Sequence, residues 1–490
     1  MKRSLTAAGV GLLGAAVVAV SPAWSVDLTL DQAVETQVIA TDNVDLEPDE
    51  DKDGAIINRV DYNTAFSAVW RRMNVTLDAG LGVETENGRD PTIDQDIRAA
   101  GALDFIPTLL GVEANASSRR VLIDDTAPQT EGRANSDDNT ETVNTVEISP
   151  YARYVFVDDI EALARFRHRE TLKTDTSDSD GDDGSRGSGG SDREREMQQT
   201  LTVDTRSQLR WVGFQGEFDH RKNTQFGGDS RNDGAGDFEE TTAGLTTRVP
   251  VTRWFTAIGQ VGYGWVEAKS EEDLTGIFWN AGGVFEGAHG TLSMTYGRRY
   301  GDQWIEGDMT YAITPRLRVQ AAISRALETS MGRASRLEGE ERTRGEDSVL
   351  PQTSRTSGDN DDGVSLAYTG QFGVVGNYRR NTYSLTGAYT NREYVSGTDE
   401  GEDETSVSLT GGWNRTLNRE WTSSLTLRSQ HASGSDTDES LTLSARGRLT
   451  YLLTDSASLF GGASHAHRFS DDPEDEYTEN TVFIGGRLAF

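Results

Sequence analysis

Three arginines alternate with other residues in the segment Arg165-Phe166-Arg167-His168-Arg169. On a β-strand this spacing places the three guanidinium groups on one face, about 6–7 Å apart along the strand. Guanidinium groups pair in a bidentate manner with planar anions, so the ladder could bind carboxylates or sulfates of an acidic polymer. The alternative is structural, since the same groups could neutralise acids on neighbouring strands and stabilise the wall.

A short acidic segment resembles the first half of a calcium-binding loop. Asp49, Asp51 and Asp53 supply oxygens at positions 1, 3 and 5, and Gly54 follows where a tight turn is needed. Position 12 is Val60 instead of glutamate, and the flanking residues have strand periodicity, so a full EF-hand is not expected. Two readings stay open, a weak structural Ca²⁺ site completed by other loop carboxylates or a solvated acidic loop. We predict no other cofactor.

The residues that usually perform catalysis are sparse. The chain has no cysteine, which excludes a thiol nucleophile, a disulfide framework and cysteine-based zinc sites. His465 and His467 share one face of a strand, but no third ligand is evident nearby. The six histidines are scattered and no serine is marked by a motif, so we predict no catalytic residues and no enzymatic activity.

The last segment of the chain indicates that β-strands position these charged side chains. Residues 482, 484, 486, 488 and 490 are apolar or small, whereas Thr481 and Arg487 belong to the alternate set. Such period-two alternation predicts a strand with one face in lipid and one in a polar lumen. The segment is similar to the final strand of bacterial outer-membrane barrels, and Phe490 resembles the terminal aromatic of their assembly signal.

The first residues have the pattern of a secretory signal peptide. Lys2 and Arg3 precede an apolar run over 12–20, and Ala23 and Ser25 are small residues at a cleavage site. We therefore predict a signal peptide over 1–25, with the barrel formed by 26–490. No run of about 18 apolar residues follows, so membrane insertion must use strands, and the predicted location is the Gram-negative outer membrane.

Short and long connections alternate between the remaining strand-like segments. Short ones include 71–72, 157–159, 251–253, 314–316, 417–419 and 454–455, and long acidic ones lie between them. This alternation is typical of barrels with tight periplasmic turns and long extracellular loops. We predict an all-β fold, a transmembrane antiparallel outer-membrane β-barrel of about 22 strands (roughly 20–24), with no separate plug domain.

The alternation also assigns side chains to the two faces of the barrel. One strand is read over Leu201–Arg210 and another over Leu441–Tyr451, with leucines facing lipid in both. Because arginine at the membrane midplane costs about 2–4 kcal/mol, charged residues must face the lumen. The predicted lumen-lining residues are Arg165, Arg167, Arg169, Asp204, Glu306, Asp308, Arg318, Arg428, Arg446, Arg448 and Arg487. The aromatics predicted to form interfacial girdles are Trp70, Trp211, Trp254, Trp413, Trp421 and Tyr451.

The charge distribution restricts the partners. The formal net charge is −33, which argues against nucleic acid because phosphates require a basic surface. The acids are concentrated in bursts between strands, such as Asp42–Asp53 and Asp175–Asp183. The expected partners are outer-membrane lipid, lipopolysaccharide and the barrel assembly machinery, together with polysaccharide or secretion components.

Several short motifs carry a family resemblance. They are Thr41–Leu46, Tyr296–Gly301, Thr310–Leu317, Tyr383–Tyr389 and Arg392–Tyr394. Together they resemble an outer-membrane β-barrel porin family found with exopolysaccharide and exosortase (PEP-CTERM) loci. The resemblance implies a role in polysaccharide secretion or surface assembly. The long acidic insert between Ser330 and Gly363 departs from the family pattern and could occlude the mouth of the barrel.

Three functional hypotheses follow from the sequence. The favoured one is a porin-like channel with a polar, arginine-containing lumen, linked to exopolysaccharide secretion or surface assembly. The alternative is a non-conducting surface protein that presents acidic loops to polysaccharide, calcium or a partner. An outer-membrane hydrolase is the least favoured, because no catalytic constellation is present.

Overall fold

The computed structural model describes residues 26–86, 89, 91–122, 140–156, 160–175, 193–205, 211–226, 237–268, 274–329, 332–333, 350, 363–396, 403–434 and 439–490. The predicted signal peptide, 1–25, lies outside these residues. The described chain is almost entirely strand, with one turn of 3₁₀ helix at Pro473–Asp475. No helix within the described ranges is long and apolar enough to cross a bilayer.

The described residues form 22 antiparallel strands, which confirms the predicted strand number. Each strand pairs with the next along the chain, and β1 pairs with β22 from Ala33↔Ala489 to Thr41↔Thr481, which closes the barrel. The strands are β1 Asp27–Thr41, β2 Ala55–Val69, β3 Met73–Glu86, β4 Thr92–Ile106, β5 Leu110–Leu122, β6 Thr140–Val155, β7 Glu161–Asp175, β8 Arg193–Asp204, β9 Gly213–Phe226, β10 Phe238–Thr252, β11 Phe255–Ala268, β12 Gly276–Gly287, β13 Gly290–Arg299, β14 Asp302–Thr314, β15 Leu317–Thr329, β16 Val364–Tyr378, β17 Asn381–Tyr394, β18 Asp403–Thr416, β19 Trp421–Gly434, β20 Ser440–Leu452, β21 Ala457–Ser470 and β22 Tyr477–Ala489.

The pleat separates the two faces as the sequence pattern predicts. On β22, Val482 and Ile484 are 63% and 68% exposed and point outward, where the barrel meets lipid. Thr481 and Phe483, on the opposite face, are buried inside the barrel. Successive side chains of a strand point to opposite faces, so apolar residues at alternate positions give an apolar outer wall.

The connections fall into two classes at the two ends of the barrel. At one end, here called the turn end, they are short, as at 315–316 and 379–380. At the other, the loop end, most are longer, and the longest separates β15 from β16. β1 starts and β22 finishes at the turn end, as expected for an even number of strands.

The strand predicted over Leu201–Arg210 starts earlier in the structure, because β8 covers Arg193–Asp204. Just beyond β8, Thr205 N–H donates to the Phe214 carbonyl at 2.9 Å and continues the β8–β9 register. Residues 206–210 lie outside the described residues. β1 begins at Asp27. Every described strand belongs to the single sheet, and the prediction of no separate plug domain stays a prediction.

Aromatic side chains form two rims on the outer wall. The six predicted girdle residues lie at or near the turn end, and Trp421 and Tyr451 contact each other there with ring centroids 4.8 Å apart. A second rim near the loop end contains Tyr263, Trp265 and Trp279. From Phe255 to Trp265 the outer face of β11 covers about 33 Å of strand, or about 25 Å of membrane at a tilt near 40°.

Candidate functional site

The predicted arginine ladder lines the lumen, and each of its members has an acidic neighbour. Arg165 Nη1 lies 2.6 Å from Glu113 Oε2, and Arg167 Nε lies 3.7 Å from Glu147 Oε1. Arg169 donates two hydrogen bonds to Glu147 Oε2, at 3.0 and 2.8 Å. These contacts correspond to the structural alternative for the ladder, in which it neutralises acids of neighbouring strands. Contact with a ligand stays a prediction.

The ladder runs from an open region to a buried one. The side chain of Arg165 is 28% exposed, whereas that of Arg169, closer to the loop end, is 6% exposed. The neighbouring strand β6 shows the same gradient, because Thr145 is 1% exposed and the side chain of Arg153, near the turn end, is 44% exposed. Access to the ladder therefore decreases toward the loop end.

Around Arg169, charged side chains that are buried or partly buried form a belt on the inner wall of the barrel. Arg169 Nη1 lies 3.7 Å from Glu196 Oε2, and Arg221 Nη2 lies 3.2 Å from the same oxygen. Arg299 Nη2 lies 2.9 Å from Glu240 on the other side of Arg221. In strand order the belt comprises Glu147 on β6, Arg169 on β7, Glu196 on β8, Arg221 on β9, Glu240 on β10 and Arg299 on β13.

Contacts from the belt and from Glu194, beside it on β8, reach strands that are not neighbours in the wall. Arg221 Nη1 on β9 donates to the carbonyl of Leu327 on β15 at 3.2 Å. Thr329 Oγ1, at the end of β15, donates to Glu194 Oε2 on β8 at 2.7 Å. Strands six or seven positions apart along the wall meet here. The loop end of β15 and β16 therefore folds toward the lumen axis, and we call residues 326–329 with 364–367 the inward hairpin.

Burial of both faces supports this description of the inward hairpin. On β16, Val364, Ser365, Leu366 and Ala367 are all at most 5% exposed. In a barrel wall alternate residues face lipid, so burial on both faces shows that this hairpin end is enclosed by protein. Its apolar side chains pack in a cluster whose buried members are Phe238, Leu274, Leu327, Val364, Leu366 and Val395.

Charged residues also hold the other side of the inward hairpin. Arg392 on β17 is 3% exposed and lies 3.9 Å from Glu328 and 2.8 Å from Glu404. Arg333, just beyond β15, donates to Ser365 Oγ at 3.4 Å. The hairpin thus lies between polar contacts from β8 and β9 on one side and from β17 on the other.

A second inward element lies on the opposite part of the loop end. Asn43, in the loop after β1, is fully buried and donates to the carbonyls of Glu47 and Thr478 at 2.7 and 3.1 Å. Leu46 from this loop packs with Ala466 and Tyr477 of β21 and β22. The loop end is thus narrowed by two separate elements, and lumen-facing side chains are more accessible toward the turn end.

The predicted calcium ligands do not form a metal site in the described residues. Asp49 pairs with Lys52 at 2.7 Å, and the hydrogen bond from this ammonium lowers the pKa of the Asp49 carboxyl. Within the described ranges no three His, Asp or Glu side chains converge as metal ligands. His465 and His467 instead bond separately to Asn480 and Thr478 on β22.

The strand β20 arginines have apolar partners inside the barrel. The Arg446 guanidinium lies over the ring of Phe483 with its carbon 4.4 Å from the centroid, and that of Arg448 lies 3.7 Å from the centroid of Phe460. Arg448 also donates to Glu35 Oε1 at 3.4 Å. A guanidinium can stack on a ring and still present N–H groups to an anion, so these arginines combine a fixed position with donor capacity.

The other predicted lumen residues are distributed around the wall instead of converging. Asp204 lies 3.5 Å from Arg248, and Arg428 donates to Gln430 at 2.6 Å. Glu306 and Asp308 share the lumen face of β14, and Arg318 lies on the adjacent β15. Arg487 lines a turn-end cavity of about 660 Å³ together with Asp31, Asp78 and Arg98.

The belt and the inward hairpin were missed in the sequence. Glu194 and Glu196 belong to Arg193-Glu194-Arg195-Glu196, where both faces of the strand carry charges and the apolar alternation disappears. The outward-facing Arg193 and Arg195 pair with Glu170, which identifies this end of β8 as lying beyond the apolar band. The signal available in the sequence was this run of alternating opposite charges at the start of β8, which indicates a strand end outside the membrane.

No protein-family model and no curated protein matches the chain. Among solved structures, the FrpB iron transporter from Neisseria meningitidis aligns in its F3-3 variant with a TM-score of 0.52 and 8% identity, over 93% of this chain and 81% of that chain. Its F5-1 variant gives 0.50 and 9%, over 93% and 82%. The siderophore receptor PirA from Acinetobacter baumannii aligns with a TM-score of 0.47 and 9% identity, over 94% and 80%. The FrpB likeness shows a shared large-barrel fold.

Proposed function

We propose that the chain forms an outer-membrane channel for hydrophilic solutes, with the inward hairpin as its gate. The observation that carries this proposal is a closed barrel whose outer face is apolar between two aromatic rims and whose inner face is charged. A closed barrel satisfies its backbone polar groups in lipid, which supports an outer-membrane location. The fold shared with FrpB, an iron transporter, is consistent with transport.

The solute that fits best is an acidic chain. Arg165, Arg446, Arg448 and Arg487 are partly or fully exposed side chains that line the lumen between the turn end and the belt. Weak contacts at several positions allow an anion to enter and to leave, as conduction requires. The family resemblance adds a link to exopolysaccharide, which remains part of this proposal. The proposed role is non-enzymatic.

The gate role follows from the kind of contacts that hold the hairpin. The hydrogen bonds that join it to β8 and β9 include Thr329–Glu194 and Arg221–Leu327, both of which water can replace. By contrast, the belt is held by ion pairs, most of which join neighbouring strands of the wall. Opening at the hairpin therefore leaves the wall intact.

The test is conductance in planar bilayers with and without the inward hairpin. Residues 327–366 are removed and Ala326 is joined to Ala367, its partner in the β15–β16 register, through Asn-Gly, which favours a two-residue hairpin turn. We expect several-fold higher single-channel conductance than in the full chain. Removal of 228–236 from the β9–β10 connection is the control and should leave conductance near the full-chain value.

One observation favours the non-conducting alternative, in which the barrel displays acidic loops to a partner. The two inward elements and the belt occupy much of the lumen at the loop end, which would restrict the passage of a solute. If neither the full chain nor the hairpin-deleted chain conducts while both show a folded, heat-modifiable barrel, the alternative replaces the channel. Block of the open form by acidic but not neutral oligosaccharide would support the acidic-chain assignment.

A further inference from the structure

A groove of about 410 Å³ lies on the outer wall at the turn end, between β15, β16 and β17. Gly376 forms its floor, since it has no side chain to fill the space between Leu317 and the exposed Tyr383. Val374 and Leu385 extend the apolar lining toward the membrane interior. The groove therefore runs along the lipid-facing wall and ends beside the turns.

Arginines surround the end of this groove. Arg316 lines it directly, and Arg379 lies over the ring of Tyr378, another lining residue, with its guanidinium carbon 5.3 Å from the centroid. Arg380 is fixed by donating to the carbonyl of Leu417 at 2.9 Å. The turns at 315–316, 379–380 and 417–420 contain four arginines and one glutamate, in a chain whose net charge is −33.

The groove and the arginines at its end match the two parts of a lipid, an apolar chain and a charged headgroup. The apolar part lies within the lipid-facing wall, and the exposed Tyr378 and Tyr383 lie where interfacial aromatics meet headgroups. Basic residues at that level attract anionic headgroups, and guanidinium pairs well with phosphate. The connections at this end are short, as periplasmic turns are, so in the proposed orientation the turn end meets the periplasmic leaflet.

We propose that this groove is a binding site for an anionic phospholipid of the periplasmic leaflet. One acyl chain lies along Leu317, Val374 and Leu385 over Gly376, and the phosphate is bound by Arg316 and Arg379. The site is independent of conduction through the lumen, because its residues all belong to the outer wall and the turn-end rim.

The test is native mass spectrometry of the purified full-length barrel, released from detergent after incubation with phosphatidylglycerol or phosphatidylcholine. We expect the full chain to retain one phosphatidylglycerol in preference to phosphatidylcholine. The double variant Arg316→Gln/Arg379→Gln should lower this retention by about tenfold. The control is Arg71→Gln/Arg253→Gln, which removes two exposed arginines from turns away from the groove and should retain the lipid like the full chain.

Gly376→Leu tests the apolar part separately, because it fills the floor while both arginines remain. We expect it to lose phosphatidylglycerol retention while heat-modifiable gel mobility shows a folded barrel. Equal retention of both lipids, equal loss in the control pair, or unchanged retention in Gly376→Leu would each overturn the site. Displacement of phosphatidylglycerol by lipopolysaccharide would overturn the assignment to the periplasmic leaflet.

Discussion

Arg165 and Arg169 lie on the same face of β7, but only Arg169 is buried among acidic partners in the wall. Arg169 is 6% exposed and is bound by Glu147 and Glu196, which are 8% and 4% exposed. Removal of Arg169 takes the shortest ion-pair contact from the buried Glu147 and one of two arginine partners from the buried Glu196, so Arg169→Met should lower the free energy of unfolding by about 3 kcal/mol. Urea unfolding in detergent, followed by heat-modifiable gel mobility, measures this loss.

Arg165→Met is the matched control, because its side chain is 28% exposed and its partner Glu113 is 41% exposed. We expect little change in stability, since water replaces a partly exposed pair. If the two variants are equally stable, the belt does not stabilise the wall. Binding of an anionic ligand, by contrast, should weaken in Arg165→Met and not in Arg169→Met. The two variants therefore separate ligand contact from wall structure as the role of the ladder.

At the scale of single strands, β11 gives the sharpest test of face assignment. Val261 is 54% exposed in the middle of the lipid-facing side, whereas Gln260 accepts a hydrogen bond from Asn280 inside the barrel. Arginine is costly in lipid, so Val261→Arg should lower the free energy of unfolding by about 2–4 kcal/mol. Gln260→Arg, one position away, should cost far less, and folding yield into lipid vesicles compares the two. Equal yields would mean that the two faces are reversed or both solvated.

Strands and turns could be predicted from the sequence because their signals are local. Alternation at 482–490 and the short connection at 315–316 depend only on adjacent residues. β8 was misplaced because Arg193–Glu196 carries charges on both faces and so lacks the apolar period. The inward hairpin could not be predicted, because its contacts join Thr329 to Glu194 and Leu327 to Arg221 across many intervening strands. Period-two alternation of apolar residues predicts which face of a strand a residue occupies, but it does not predict whether a hairpin folds out of the wall into the lumen.

At the scale of the whole molecule, closure joins the first strand to the last. Beyond the β1–β22 ladder, Phe490 N–H donates to the Gln32 carbonyl at 2.9 Å, and Gln32 N–H donates to the Phe490 carbonyl at 3.2 Å. The Phe490 side chain itself is 65% exposed, so it contributes little packing to the closed barrel. An aromatic ring that the folded state leaves free is available for recognition during assembly.

Phe490→Ala separates these two contributions, because it keeps both backbone hydrogen bonds and removes only the exposed ring. We expect several-fold less assembled barrel in the outer membrane of cells, but an unchanged urea midpoint once the protein is folded in vitro. Phe490→Tyr should assemble normally, since it restores an aromatic terminus. A lower urea midpoint for Phe490→Ala would mean that the ring stabilises closure, and normal assembly of that variant would show that it is not a signal. Because every hydrogen bond of the β1–β22 seam is retained, a loss confined to assembly can arise only before the barrel closes.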